Sequence, residues 1–227
     1  MLYEEKFSRN LRTLSAGQQG KVRRSQFCIA GLGGTGGFAL ECLARLGAER
    51  FVVFDHDRFE LTNFNRQLLA TDASLDARKT DAAIIRARSI NGKIKIKKHG
   101  RFGPRSGALL SACDAVLDCT DSFATKLLIA ESCRRTKIPY VFCSAQGTRG
   151  IVSVFSGYPF EKAFQAGAGK KTLRSCASVV CPAAALAGSL AAAQALNIII
   201  GKSVVRAPNA LFFDIFDRRL FWKARLG

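Results

Sequence analysis

Residues 29–37 read IAGLGGTGG and follow directly on RRSQFC at 23–28. Gln26 to Ala30 is a short apolar run and predicts a strand; Phe38 to Leu46 predicts a helix. Gly31, Gly33, Gly34 and Gly36 therefore fall on a strand-to-helix turn. At this spacing Gly31 permits the tight turn, and Gly33 lets backbone N–H groups approach a phosphate with no Cβ in the way. Gly36 lets the helix pack close to the strand. The helix N-terminus adds unpaired N–H groups and the positive end of a dipole. Such a turn suits a nucleotide, and by itself does not choose between a dinucleotide redox cofactor and ATP.

Residues farther along choose. Asp55 ends the next apolar run, Phe51 to Phe54, 19 residues past Gly36. An acid there accepts hydrogen bonds from ribose hydroxyls of NAD and ATP alike. DHDRFELTNFNRQ then runs from Asp55 to Gln67, carrying Asp57, Asn63 and Arg66, and Lys79 comes 13 residues after Arg66. A redox site has no evident need for this Asn/Arg/Lys group. A triphosphate does, because its charge must be neutralised where it concentrates in the transition state. Arg66 offers a planar fork and Lys79 a point charge. DCTDS, 118–122, ends a further strand at the edge where ligands bind in open sheets. Asp121 there can hold Mg²⁺ through its carboxylate. Taken singly, Arg66 or Lys79 would read as a solvated surface charge. Asp121 would read as a helix N-cap, a role compatible with holding a cation.

The 227 residues are 48% apolar, enough for one sizeable core, and no repeat or linker divides them. One domain over 1–227 is the simplest count. Thirty-five Lys and Arg face 17 Asp and Glu, a net charge of +18 that suggests an acidic partner: nucleic acid, an anionic surface or an acidic protein. The basic residues come in runs such as KIKIKKHGR, and no aromatics interleave as a base-stacking platform would require. The charged opening MLYEEKFSRN does not read as a leader, and the eight cysteines read as small hydrophobes in a reducing cytoplasm. No C-x-x-C pair occurs, so a structural zinc site has no support. Ala183 to Ile200 is long enough to cross a bilayer. Its many alanines, with Gln194, Asn197 and Gly188-Ser189, instead predict a buried helix and no membrane.

The remaining pattern predicts a helix over Glu4 to Arg24 broken near Ala16-Gly17, and a helix over Lys79 to Ile90. KIKIKKHG, DAVLDC, PYVFCSA, GIVSVFS, ALFFDIF and RLFWKAR predict strands, with a helix from Ser122 to about Thr136. Strands alternating with helices argue an α/β, Rossmann-like sheet, mostly parallel, of about eight strands with helices on both faces. The final hairpin makes it mixed. Residues 157–175, within a connection of about 157–181, are Gly- and Lys-rich without clear periodicity.

GLGGTGG, DHD…TNFNRQ, the spaced Lys79 and DCTDS together resemble the ThiF/MoeB/ubiquitin-activating-enzyme superfamily of adenylyltransferases. EEKFSRNLRTL resembles that superfamily's opening helix, with Arg9 at the arginine position, and CPAAALAGSLAAAQAL its helix after the crossover loop. The likeness spans nearly the whole chain. It implies a homodimer that uses ATP to convert the C-terminal glycine carboxylate of a small ubiquitin-like sulfur carrier, ending in Gly-Gly, into an acyl-adenylate. By it Gly31, Gly33, Gly34 and Gly36 line the phosphate turn, Asp55 binds ribose beside Asp57, and Asn63, Arg66 and Lys79 bind phosphates. Asp121 binds Mg²⁺, and Arg9 reaches the neighbouring subunit's ATP. Attack by a carboxylate already ionised at pH 7 needs no general base, which suits a chain whose only histidines are His56 and His99.

Departures accompany the likeness. Many members bind zinc through two C-x-x-C pairs, and this chain has neither. Asp121 is followed by Ser122 where the family often has Asn. Cys176 lies near the family's reactive-cysteine position but closer to Pro182; Cys181, at a helix start, competes for that role, and two structural cysteines are the alternative. Two other functions stand beside adenylation of a protein terminus. One is an enzyme of this fold acting on tRNA, resembling the tRNA threonylcarbamoyladenosine dehydratases, which TNFNRQ, the missing zinc cysteines and the charge favour. The other is a non-catalytic nucleotide-binding module or an NAD-dependent reductase, against which the Arg/Lys/Asp set argues.

Overall fold

A computed structural model describes residues 3–165 and 178–226. Eight strands form one sheet in the order β3-β2-β1-β4-β5-β6-β7-β8. The strands are β1 (Gln26–Ala30), β2 (Arg50–Phe54), β3 (Lys95–His99), β4 (Ala115–Asp118), β5 (Tyr140–Gln146), β6 (Arg149–Phe155), β7 (Asn209–Asp214) and β8 (Phe221–Arg225). β1 to β5 run parallel, and β6, β7 and β8 continue the sheet antiparallel. The mixed α/β architecture is therefore the one the sequence implies.

Alternation along the strands sends side chains to two layers. Phe27, Ile29, Phe51 and Val53 join a core with α3 (Gly34–Arg45), α4 (Lys79–Ile90) and α7 (Cys181–Ile200). Cys28, Ala30, Val52 and Phe54 face the other way, toward α5 (Phe123–Thr136) and α6 (Phe160–Gln165). α7 is long and apolar enough to cross a membrane, yet its Ala184, Ala187, Gly188 and Ala191 are buried. Gly188 sits where any Cβ would collide with the Thr35 carbonyl of α3, so the small residues serve close helix packing.

Three boundaries differ from the sequence reading. α3 begins at Gly34, so Gly36 lies in the first helical turn instead of the loop. A Cβ there would strike the Gly31 carbonyl, which is why this glycine permits the helix to lie on the strand. Near the N-terminus, α1 (Tyr3–Lys6) is short, and Ala16-Gly17 starts α2 (Ala16–Arg24) rather than breaking a helix. Ser15 and Gln18 form a reciprocal capping box that fixes that start. α6 occupies the beginning of the crossover segment, of which 166–177 lie outside the described residues.

β1 has β2 on one side and β4 on the other, with chain order reversing between them. Ligands in open sheets bind at such a switch point, at the carboxyl ends of the strands.

Candidate nucleotide-binding site

At that switch point lies a cleft of about 410 Å³. Its lining includes Gly31, Gly33 and Gly34 of the turn, Asp55 and Asp57 after β2, Arg66, Lys79, and Asp121 after β4. Gly31 and Asp121, 90 residues apart in the sequence, thus meet at one cleft.

The turn is held from both sides. Gly31 adopts φ +86°, a left-handed conformation that favours glycine, and its N–H donates to Phe54 O at 2.7 Å. Asp55 Oδ2 accepts from Leu32 N at 2.7 Å, and Oδ1 accepts from Asp57 N at 2.9 Å. The expected ribose acid therefore also braces the glycine turn. Gly33 is the N-cap residue of α3 and offers no side chain of its own.

The cations are arranged unequally. Lys79 is 6% exposed, and its Nζ lies 3.1 Å from Asp57 Oδ2. Asp57 also meets His56 Nε2 at 3.2 Å, and Arg101 Nη2 lies 2.6 Å from that same nitrogen. Arg66 donates from Nη1 to Thr62 O and Asn65 Oδ1, leaving the rest of its fork over the cleft. Asn63 is buried but does not line the cleft; its Oδ1 caps Glu60 N at 3.2 Å. Asp121 is exposed and makes no hydrogen bond or ion pair among the described residues. Ser122, not Asp121, is the N-cap of α5, accepting from Thr125 N at 3.3 Å. The helix-cap alternative for Asp121 is thereby removed.

Three lining residues escaped the sequence reading. Gln67 is 7% exposed, and its Oε1 is buried without a hydrogen-bond partner among the described residues, facing the turn beside Gly33. A buried orphan acceptor costs about 1–3 kcal/mol unless something completes it. Lys126, 2% exposed, donates from Nζ to Asp118 Oδ1 at 3.2 Å and to Cys143 O at 3.3 Å. Asp118 is fully buried and also accepts from Thr120 N, Thr120 Oγ1 and Tyr140 Oη. Burial, reinforced by the Asp118 carboxylate, pushes the Tyr140 hydroxyl well above its ordinary pKa, so it stays a donor. Arg101 is the third, on the loop after β3. Lys126 had one available signal: it shares a helical face with Ile129, Ala130 and Cys133, all buried.

Cations Arg66, Lys79, Arg101 and Lys126 stand against carboxylates Asp55, Asp57, Asp121 and, beneath them, Asp118. The cleft's own charges nearly balance. Cys181, exposed, is the first residue of α7, while Cys176 lies outside the described residues. Ser178 to Val180 lead into α7 across the mouth, where Val179 O accepts from Asn65 Nδ2 at 3.2 Å. Arg9 lies far from this cleft. Its segment is tied by Tyr3 and Asn10 to the Gly47 and Leu46 carbonyls, at the opposite end of α3 from the glycine turn.

A switch-point cleft with this turn, strand acid and loop cations marks a candidate nucleotide-binding site in an α/β fold. More narrowly, the chain belongs to the ThiF family, whose pattern matches residues 7–226. It is 32% identical over 218 residues to the adenylyltransferase and sulfurtransferase MOCS3 of Aedes aegypti and 30% to that of Culex quinquefasciatus. Each likeness covers 92% of this chain and 50% of the relative, so the chain spans about half the length of these curated relatives. Among solved structures it resembles PaaA (TM-score 0.81, 19% identity, 98% of this chain and 73% of that one). It also resembles E. coli MccB with ATP (0.79, 18%, 98% and 72%) and E. coli tRNA N6-threonylcarbamoyladenosine dehydratase (0.73, 21%, 87% and 95%). At these identities the structures speak for the fold.

Proposed function

We propose that this chain is an ATP-dependent adenylyltransferase that activates the C-terminal glycine carboxylate of a small ubiquitin-like sulfur-carrier protein, working as a homodimer in the cytoplasm. One observation carries it: the glycine turn and Asp55 share one cleft with Arg66, Lys79, an Asp121 with no partner among the described residues and an orphaned Gln67 Oε1. A nucleotide with its metal would satisfy the groups the chain leaves open. Asp121 fits Mg²⁺ as a free oxygen donor at the mouth, and the ion would supply charge neutralisation on the phosphates. No zinc is required in this reading.

The chain's own residues position and neutralise. N–H groups of the turn and the α3 N-terminus approach the phosphates, Arg66 and Lys79 balance their charge, and Asp55 receives ribose hydroxyls. The incoming carboxylate attacks the α-phosphorus, its new C–O–P bond replacing the bond to departing pyrophosphate. Neither oxygen needs a proton removed. Cys181 or Cys176 is then the acceptor: as thiolate, its proton already released to solvent, its sulfur forms the thioester C–S bond while the C–O bond to departing AMP breaks.

Two measurements test this. ATP with Mg²⁺ raises the melting temperature, because a ligand bound only by the native state stabilises it, while NAD does not. ATP–pyrophosphate exchange appears with a Gly-Gly-ended carrier. Equal stabilisation by NAD, or none by ATP, sinks the reading. A second reading, action on a tRNA, is favoured by the +18 charge and predicts exchange stimulated by tRNA instead of by carrier.

A further inference from the structure

β3 is an edge strand, paired with β2 alone. Alternation turns Lys95, Lys97 and His99 to the same side, which His99 identifies by stacking on Phe54 at 5.0 Å. Lys95 and Arg50 stand directly opposite one another in the parallel register. Both are exposed, and like charges so placed repel. Lys93 precedes the strand; Arg101 and Arg105 follow it, and Arg101 lines the cleft. All six cations are exposed, and among the described residues none has a carboxylate within 4 Å. The nearby Asp114 is engaged by Gln26 N at 2.8 Å, and Lys98, on the opposite face, pairs with Asp81.

The band therefore carries unpaired positive charge along β3, and Arg101, already part of the cleft's balance through His56 and Asp57, joins it to the cleft mouth. Strand lysines recur about every 6.6–6.8 Å along it. Lysines do protect sheet edges from aggregation, but that task does not call for Arg50 opposite Lys95 or for continuity with the cleft. A protein partner would need apolar anchors at the centre of its footprint, and the exposed side chains of this band are cations. A polyphosphate backbone needs none. The outer edge of β3 also presents backbone N–H and C=O groups that no strand among the described residues uses. Those are a donor and acceptor row for ribose 2′-hydroxyls, the group that separates RNA from DNA.

We infer that the β3 edge, with Arg50, Lys93, Lys95, Lys97, Arg101 and Arg105, is a docking surface for the phosphate backbone of a structured RNA and leads that RNA to the cleft. The surface stands independently of which carboxylate the cleft activates. The test compares the wild-type chain with Lys95→Glu/Lys97→Glu, using fluorescence anisotropy of an unmodified tRNA transcript. A DNA duplex of equal length and polyglutamate of equal charge serve as competitors. The double variant binds the transcript about tenfold or more weakly, and the slope of log affinity against log salt falls by about 1.4–1.8. Carrier-dependent ATP–pyrophosphate exchange without RNA is unchanged, and the melting temperature does not fall, because repelling charges have been removed. Lys95→Gln/Lys97→Gln gives the same loss of affinity at smaller size. The inference is overturned if either folded variant binds the transcript as tightly as wild type, or if DNA or polyglutamate displaces it as well as RNA does.

Discussion

Asp121 and Ser122 are neighbours with separate duties. Ser122 caps α5, and Asp121 offers a free carboxylate to the cleft. Asp121→Ala should abolish pyrophosphate exchange by several orders of magnitude and leave the denaturant midpoint unmoved. Ser122→Ala should do the reverse, keeping exchange and losing about 1 kcal/mol, the usual scale of a lost cap. Exchange assays beside urea titrations read both, and an active Asp121→Ala chain defeats the cation role. Lys126 belongs to a different physical regime. It and Asp118 are a buried ion pair, held by Thr120 and Tyr140 as well, at the root of the loop bearing Asp121. Lys126→Met strands an uncompensated charge and should cost about 3–5 kcal/mol in urea unfolding. Lys126→Met combined with Asp118→Leu should cost less than the single change, because no lone charge then remains buried. A single variant as stable as wild type would show that the pair is not a stabilising element at all.

Elements were legible in the sequence wherever periodicity or glycine spacing left few choices. β1, the turn and α4 follow from a short apolar run, φ requirements and an apolar helical face. Chemistry carried by tertiary contact was not legible. Gln67, Arg101 and Lys126 reach the cleft through loop paths and one helical face that no short motif announces. Asn63 shows the converse: a motif residue whose side chain is used locally, capping Glu60. The start of α3 was misjudged because glycine has low helix propensity, yet close approach to Gly31 outweighs propensity at Gly36. α3 and α4 are also joined by charge. Glu41 bonds Arg86 at 2.9 and 2.8 Å and Arg45 at 2.7 Å. Burial pushes the Glu41 carboxyl up, but the two guanidinium groups outweigh it and hold the pKa below its ordinary 4.5. A depressed acid stabilises the fold above its unfolded pKa and loses that contribution as pH falls through the folded one. Glu41→Gln should therefore be less stable than wild type at pH 7, with the gap closing below about pH 4.5. Thermal melts across pH 3–7 read this; a gap constant with pH would remove the ion pair as its source.

At the scale of the molecule, the proposed reaction asks a nearly balanced cleft to accept the charge of a triphosphate. In the proposed reaction Mg²⁺ would supply part of the compensation, and a second copy of the chain would supply more. Arg9 is exposed and forms no ion pair among the described residues. Its segment is fastened to the C-terminal end of α3, a helix of 12 residues whose other end carries the glycine turn. Twelve residues span about 18 Å, farther than an arginine side chain reaches. Arg9 therefore does not reach its own cleft, and in the proposed two-fold pair it would enter the neighbour's, each chain completing the other's site. Solution mass should correspond to two chains. Arg9→Ala and Asp121→Ala should each be inactive alone. In a mixed dimer, the Arg9→Ala chain keeps Asp121 and receives Arg9 from its companion, so one of the two sites is whole. Random exchange makes roughly a quarter of all sites whole, and exchange activity should recover to about that fraction of wild type. If the mixture stays inactive after labelled chains are shown to have exchanged, Arg9 does not act across a dimer. Recovery without detectable mixed dimers would point to contamination by an unmutated chain, which mass spectrometry of the samples distinguishes.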